Sequence, residues 1–479
     1  MHARLKSGSW RRNAASVLAV AAVVLTPLAP STAAAAAPKN AHFVVGHGEY
    51  SDIAVASDGT AHVAWVHQSA PGVADQIQYC RVPRGKRACV GLQTFALPGQ
   101  QIGERPYVFL PGGSTVLLLS HRCCFSPDQA PASELTELLR STDGGKTFGP
   151  PLLIGTHSAS GDAKLGPAGT VYTITDTVTA GVSVQRNALD GSDPELAGRQ
   201  ADLGPVGNPD EYDGSLAVLP DGSVLAAHDD GDVFAKTFHV SRFSGSGDPN
   251  VSSSWPTVVT GAASSSPKTG GSLTQLASGK KGVFLFNADN ELYARFQVRK
   301  WTGSTFGAPS FITPAGQGNI FPSFWEDAAG RTSVVYSDTH RVFTYRASDL
   351  KGFAKPMALK ASDGYHLRGA TAADGGGFVS YDQNSGTGLV SLVPIPVRRT
   401  ISESVKGSVL SGKVVAFRAH QPVTLQKSTT HGWVTVKTVG LSAKGTYKVT
   451  LPKGKAKWRA VALAVEGYAE VDGRAFSRG

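Results

Sequence analysis

One unit recurs through this chain, and it limits the fold more than any other feature: an alternating strand, a glycine turn, then an apolar strand ending on a polar residue. Copies span 51–67 (SDIAVASDGTAHVAWVH), 105–121 (RPYVFLPGGSTVLLLSH), 161–176, 213–229, 270–289, 321–338 and 367–382. Their marker glycines, Gly59, Gly113, Gly169, Gly222, Gly279, Gly330 and Gly376, stand 46 to 57 residues apart, the length of four short strands with their turns. At 479 residues the chain exceeds one ordinary core, but a repeat array grows by adding units. Charged residues make up only 17%, glycine is plentiful, and no long helical period appears, so the class is all-β.

A second element recurs between the units, an aromatic followed by Pro or a small residue and an apolar run, as in TFALPG (94–99), TFGPPLLIG (147–155) and TFGAPSFIT (305–313). It is expected to form the outermost strand. The seventh copy runs into Pro394 and Pro396 without such a strand, whereas His42, Phe43, Val44 and Val45 precede the first copy without a partner. The expected fold is a seven-bladed β-propeller over 38–396, its N-terminal strand completing the last blade so that no sheet edge is left open.

The octapeptide STDGGKTF at 141–148 resembles the Asp-box of the sialidase-like propellers. There Ser141 and Asp143 would satisfy turn N–H groups, Gly145 would take a dihedral that other residues resist, and Phe148 would pack between strands. The resemblance covers propeller architecture, and in that family the box lies on the rim away from the active site.

Aligning the copies on their glycines places Asp52, Arg105, Asp162, Asp213 and Arg368 at or beside the start of the first strand. His67, His121, Asp176, Asp229, Asp289, Asp338 and Asp382 fall at the end of the second. Convergent polar groups at a concave mouth make a binding site, and the ligand candidates are Asp52, Arg105, His121, Arg122, Asp213, Asp229, Asp338, Arg368 and Asp382. A sialidase would need arginines for a substrate carboxylate, a tyrosine nucleophile activated by a glutamate, and an acid. Asp52, Glu211 and Tyr212 are the candidates for that chemistry, but Glu211 and Tyr212 are neighbours on one strand and point to opposite faces. The nearest approach to the family's Arg-Ile-Pro signature is Glu104-Arg105-Pro106. No catalytic set is therefore asserted.

The chain opens with Arg4, Lys6, Arg11 and Arg12, then an apolar stretch over 14–28 and an alanine run, the pattern of a cleaved export signal over 1–37. That stretch is about fifteen residues, short of the roughly twenty that span a bilayer, and no later segment is long enough. In the oxidising compartment this implies, Cys80 and Cys89 flank a hairpin and are expected to bridge it. Adjacent Cys123 and Cys124 either pair with each other, which leaves that bridge intact, or reach toward Cys80 or Cys89. No cysteine or acidic spacing indicates a metal, the acidic run His228-Asp229-Asp230-Gly231-Asp232 reads as a solvated turn, and no cofactor is called for.

From Arg398 onward the chain carries fifteen Lys and Arg against four Asp and Glu, while the segment between signal and tail has an acidic surplus. Short alternating runs at spacings of about ten residues indicate a β-sandwich over 397–479, after a stiff linker at Pro394-Ile395-Pro396. Its sequence resembles the immunoglobulin-like accessory modules of secreted actinobacterial proteins, with Trp433, Tyr447 and Trp458 expected in its core. The basic field would attract cell-wall polymers and acidic glycans; nucleic acid is not indicated, because no stacking motif accompanies the lysines. The expected function is non-catalytic recognition of an extracellular carbohydrate or other ligand, against two alternatives: a sialidase-type glycoside hydrolase, and a scaffold.

Overall fold

The computed structural model describes residues 42–67, 75–96, 105–122, 135–155, 161–177, 181–192, 199–204, 214–230, 237–262, 275–279, 282–288, 296–311, 320–326, 332–337, 342–347, 357–359, 364–383, 388–417, 419–465 and 467–478. The chain divides into two compact units, Met1–Lys39 and Asn40–Gly479; the first, with the expected signal, lies outside the described residues. No helix among the described residues is long and apolar enough to cross a membrane.

Asn40–Gly479 is all-β and propeller-like. Among the described residues seven antiparallel sheets have four strands each, and in the first six the strands follow chain order. The strands that open the sheets are Glu49–Val55, Tyr107–Gly112, Asp162–Leu165, Gly214–Val218, Gln275–Gly279, Ile320–Glu326 and Gly364–Thr371. Each touches the opening strand of the next sheet, and the seventh touches the first. The seventh sheet takes its fourth strand from the chain's beginning, Phe43–His47 pairing antiparallel with Leu389–Ile395. That strand also seats on the first sheet, because Trp65 donates Nε1–H to the His47 carbonyl at 2.9 Å. Gly46 makes the approach possible: a Cβ there would lie 2.2 Å from the Trp65 ring.

The turn glycines are placed by hydrogen bonding. Gly59 N–H donates to the Ala56 carbonyl, Gly222 N–H to Leu219, and Gly375 N–H to Ala372, each with Asp58, Asp221 or Asp374 ahead of it. The seventh marker is thus Gly375 and not Gly376, since Gly375 takes the positive φ of +82°.

Aromatics after the third strand fold back onto the preceding sheet. Phe148 packs 4.9 Å from Tyr79 and 5.3 Å from Phe95 of the first sheet, and Trp255 joins the core around Tyr172 and Val184 of the third. Trp301 and Phe306 of the fifth sheet share a core with Leu225 and Phe238 of the fourth. Phe148, Trp255 and Phe306 therefore precede the outermost strands Leu152–Gly155, Thr257–Ala262 and Ser310–Phe311, whereas Phe95 lies within Val90–Ala96. The first six third strands also carry one arginine each, Arg81, Arg140, Arg186, Arg242, Arg299 and Arg346. Arg140 donates to the Leu189 carbonyl (3.1 Å) and Arg242 to the Gly303 carbonyl (3.4 Å), each in the next sheet's turn.

After the seventh sheet the expected linker is part of the structure. Ile395 ends a strand, and buried Val397 donates N–H to Gly467 and accepts from Ala469. A three-stranded sheet (Thr400–Lys406, Val409–Val415, Thr446–Thr450) and a five-stranded sheet built on Pro422–Thr429 and Ala456–Ala462 enclose one core of Leu410, Val414, Val423, Leu425, Tyr447 and Trp458. Trp433 departs from its expected place. It lies partly exposed, outside that core, with the Arg459 guanidinium 4.6 Å above its ring.

Candidate functional site

The opening strands of the seventh, first and second sheets bring the candidate residues together. In two of them the register breaks at the start, between Tyr365 and Arg368 and between Glu49 and Asp52. Each break holds a non-glycine residue in the left-handed region, His366 (φ +50°) and Tyr50 (φ +56°). Such residues persist where surrounding bonds over-determine them, and here the buried carboxylate of Asp382 does so. Its Oδ2 accepts from the Tyr50 N–H at 2.7 Å and from His366 Nδ1–H at 2.9 Å, and its Oδ1 from the Ser51 hydroxyl at 3.3 Å. The Tyr50 and His366 rings then lie 4.7 Å apart. Asp382 was expected as a rim ligand, but its lone pairs tie two bulged strands to each other.

Asp52 has a comparable task. Its Oδ2 accepts the Val108 N–H of the second sheet at 2.8 Å. Asp162 likewise accepts from Leu216 N–H at 3.0 Å, and the Ser215 hydroxyl from Leu276 N–H at 3.0 Å. Asp52, Asp162 and Ser215 each stand seven residues before a turn glycine, so the polar residue at this point links one sheet to the next. Ser215, not Asp213, is the fourth sheet's equivalent. Burial pushes the Asp52 carboxyl above its ordinary value, against the pull of Arg368, the Val108 N–H and Arg105.

Arg105 lies among these groups, partly buried, with its Nε out of reach of solvent. Its pKa falls to about 10, first through burial and then through the like charge of Arg368, while Tyr107, Asp52 and Asp382 work in the other direction. Its Nε has no hydrogen-bond partner among the described residues. Two guanidiniums that repel each other, one with a buried donor left over, favour any anion placed between them.

The remaining candidates divide. His121 is fully buried in the second sheet, its Nδ1 3.4 Å from the Thr136 hydroxyl and its ring edge-on to Tyr107, and so does not rim a mouth. Arg122 and Asp229 end the strands Thr115–Arg122 and come next to last in Val224–Asp230, and their side chains lie outside the description. Asp213, Asp338, Glu211, Tyr212, Cys123 and Cys124 lie outside the described residues. The Cys80–Cys89 bridge is present, with Cα atoms 5.5 Å apart. Within 141–148 the Ser141 hydroxyl donates to Asp143 and accepts Gly145 N–H, and Asp143 accepts the Lys146 and Thr147 N–H groups. Those donors, Thr147 first, hold Asp143 well below the usual carboxylate range.

Tyr50, Ser51 and His366 were not singled out from the sequence, because alternation counting passes over a bulge. A signal was nevertheless there: Gly48-x-Tyr50-x-Asp52 and Gly364-x-His366-x-Arg368 share one spacing at the same point of the repeat. Among the described residues no group of three or more His, Cys, Asp or Glu is arranged to hold a metal ion.

The sequence matches no protein-family model and no curated protein. Solved structures similar to this chain include a GH93 α-L-arabinofuranosidase of Fusarium graminearum (13% identity, 74% of this chain and 97% of that one, TM-score 0.40). A Trypanosoma rangeli sialidase (8%, 90% and 73%, 0.36) and the Aleuria aurantia lectin (9%, 84% and 98%, 0.38) are others. At TM-scores below 0.5 these likenesses bear on neither ligand nor mechanism.

Proposed function

We propose that this is an exported recognition protein. In this reading the seven sheets are the blades of one sialidase-like β-propeller, the two C-terminal sheets are an immunoglobulin-like β-sandwich retained by anionic surface polymers, and the junction of the seventh, first and second blades binds an extracellular carbohydrate through an acidic substituent. The observation that carries it is Arg105, which feels the like charge of Arg368 and whose buried Nε is unbonded among the described residues. A carboxylate lying between two guanidiniums would supply the missing acceptor and relieve their repulsion. Recognition is favoured over hydrolysis because Asp52 and Asp382, the described carboxylates nearest the arginines, are already engaged by N–H and O–H donors of the fold.

A glycan array spanning neutral and acidic saccharides tests this. Acidic members are expected to bind, and Arg105→Ala to weaken them about 10- to 100-fold while neutral members stay unchanged. Equal binding by the variant sinks the arginine assignment. Turnover of fluorogenic sialosides by the wild type would instead favour the hydrolase, and recovery of the protein only from the cell interior would remove the export reading.

A further inference from the structure

The basic surplus of the C-terminal region is concentrated by strand register. In the three-stranded sheet, alternate residues point inward to Leu410, Val414, Tyr447 and Val449, all buried. The outward residues pair across all three strands in successive rungs. Ser402 lies opposite Lys413 and Lys413 opposite Thr446; Ser404 lies opposite Ser411 and Ser411 opposite Lys448; Lys406 lies opposite Val409 and Val409 opposite Thr450. Each rung therefore holds one lysine, with two hydroxyls in the first two rungs and one in the third. Rungs on one face are about 6.6 Å apart.

Lys406, Lys413 and Lys448 are exposed, and no acid stands in the outward register of these three strands. Glu403 points inward, where its Oε1 accepts the Tyr447 hydroxyl at 2.7 Å, and Asp472 is held by Arg459 at 2.6 Å. The positive charge of this register is thus not cancelled within the three strands.

We propose that the outward face of the three-stranded sheet, through Lys406, Lys413 and Lys448 with the hydroxyls between them, is a docking surface for a linear phosphodiester polymer of the cell surface. The proposal rests on reading the C-terminal region as a retention module and assigns that role to one face. Lysine meets phosphate oxygens as a compact point charge, and three such charges on successive rungs suit a polymer that carries one phosphate in each repeat. Hydroxyls supply further donors to phosphate oxygens. With no aromatic in the outward register there is nothing for a nucleobase to stack on, which separates this surface from one for single-stranded nucleic acid.

The test uses the whole protein and inorganic polyphosphate of defined length, with affinity measured at low and at near-physiological salt. Lys406→Ala, Lys413→Ala and Lys448→Ala together are expected to weaken binding about tenfold or more and to flatten its salt dependence. A charge-matched triple on the other sheet, Lys427→Ala, Lys437→Ala and Lys457→Ala, is expected to cost no more than about twofold. All six lysines are exposed, and matched melting temperatures confirm folding. Equal losses in the two triples would overturn the assignment to this face while leaving retention standing. A wild type that binds no polyanion would overturn both. Tighter binding of single-stranded DNA, or of polygalacturonate, than of polyphosphate would overturn the phosphodiester class.

Discussion

His62 is 4% exposed, and its Nδ1 accepts the Tyr79 hydroxyl at 2.6 Å, while that hydroxyl lies where a Cβ on Gly145 would stand. Burial, helped by the charge of Arg81, lowers the imidazole from 6.5 to about 4. The neutral ring therefore stabilises the fold fully above pH 6.5, and that contribution drains away as pH falls through 4, where the folded protein too must take up the proton. His62→Asn keeps an acceptor for Tyr79 and removes the titration. Its melting temperature is expected to change less between pH 6.5 and 4 than that of the wild type; identical slopes would assign the acid sensitivity to other groups. At this scale local chemistry was legible in the sequence. The turn at 141–148 and the Cys80–Cys89 hairpin use partners a few residues apart, whereas the hydrogen bonds of Asp52 and Asp382 reach 56 and more than 300 residues away.

Among the elements, the repeat was readable because every copy has to bury the same alternate residues, so hydrophobic period and turn chemistry agree. What escaped is what lies at the ends of strands. A bulge shifts the register without changing the composition, which hid Tyr50 and His366; in the fourth sheet, which has no such shift, Asp213 stands nine residues before Gly222 and Ser215 seven. The six arginines of the third strands sat in the sequence at repeat spacing, but the hydrogen bonds of Arg140 and Arg242 to the next sheet show only in the assembled array. The N-terminal strand shows the opposite case, since its lack of a local partner pointed to a distant one. Because Trp65 holds that strand by its ring and its Nε1–H, Trp65→Ala is expected to cost about 3–5 kcal/mol and to bring hydrogen exchange to Phe43–His47 before the rest of the seventh sheet. Unchanged protection of that strand would show that pairing with Leu389–Ile395 suffices.

Taken whole, the molecule depends on one side chain that sequence reading did not mark. Arg84, at the tip of the disulfide hairpin, forms a two-pronged ion pair with Asp374 of the seventh sheet, NH2 to Oδ1 at 3.1 Å, and its guanidinium lies 5.4 Å from the Tyr468 ring. Three parts of the chain meet there, although the sequence suggests a linker and two separate bodies. The wild type is expected to unfold in one calorimetric transition and Arg84→Ala in two, with the chain opened to proteases near 396–399; one transition in both would mean that the Val397 pairing alone holds the C-terminal sheets.

Arg84 also fixes a direction. It meets the turns at Gly59 and Asp374, whereas Tyr50 and His366 lie toward the other ends of the same strands and Asp52 and Arg368 near their middles, roughly 13 to 20 Å away. On the proposed reading, the C-terminal sheets would thus attach at the turn ends of these strands, with the bulges of Tyr50 and His366 at the opposite ends. A copy retained through those sheets would leave the bulged ends facing the surrounding medium, able to meet a second particle without releasing the first.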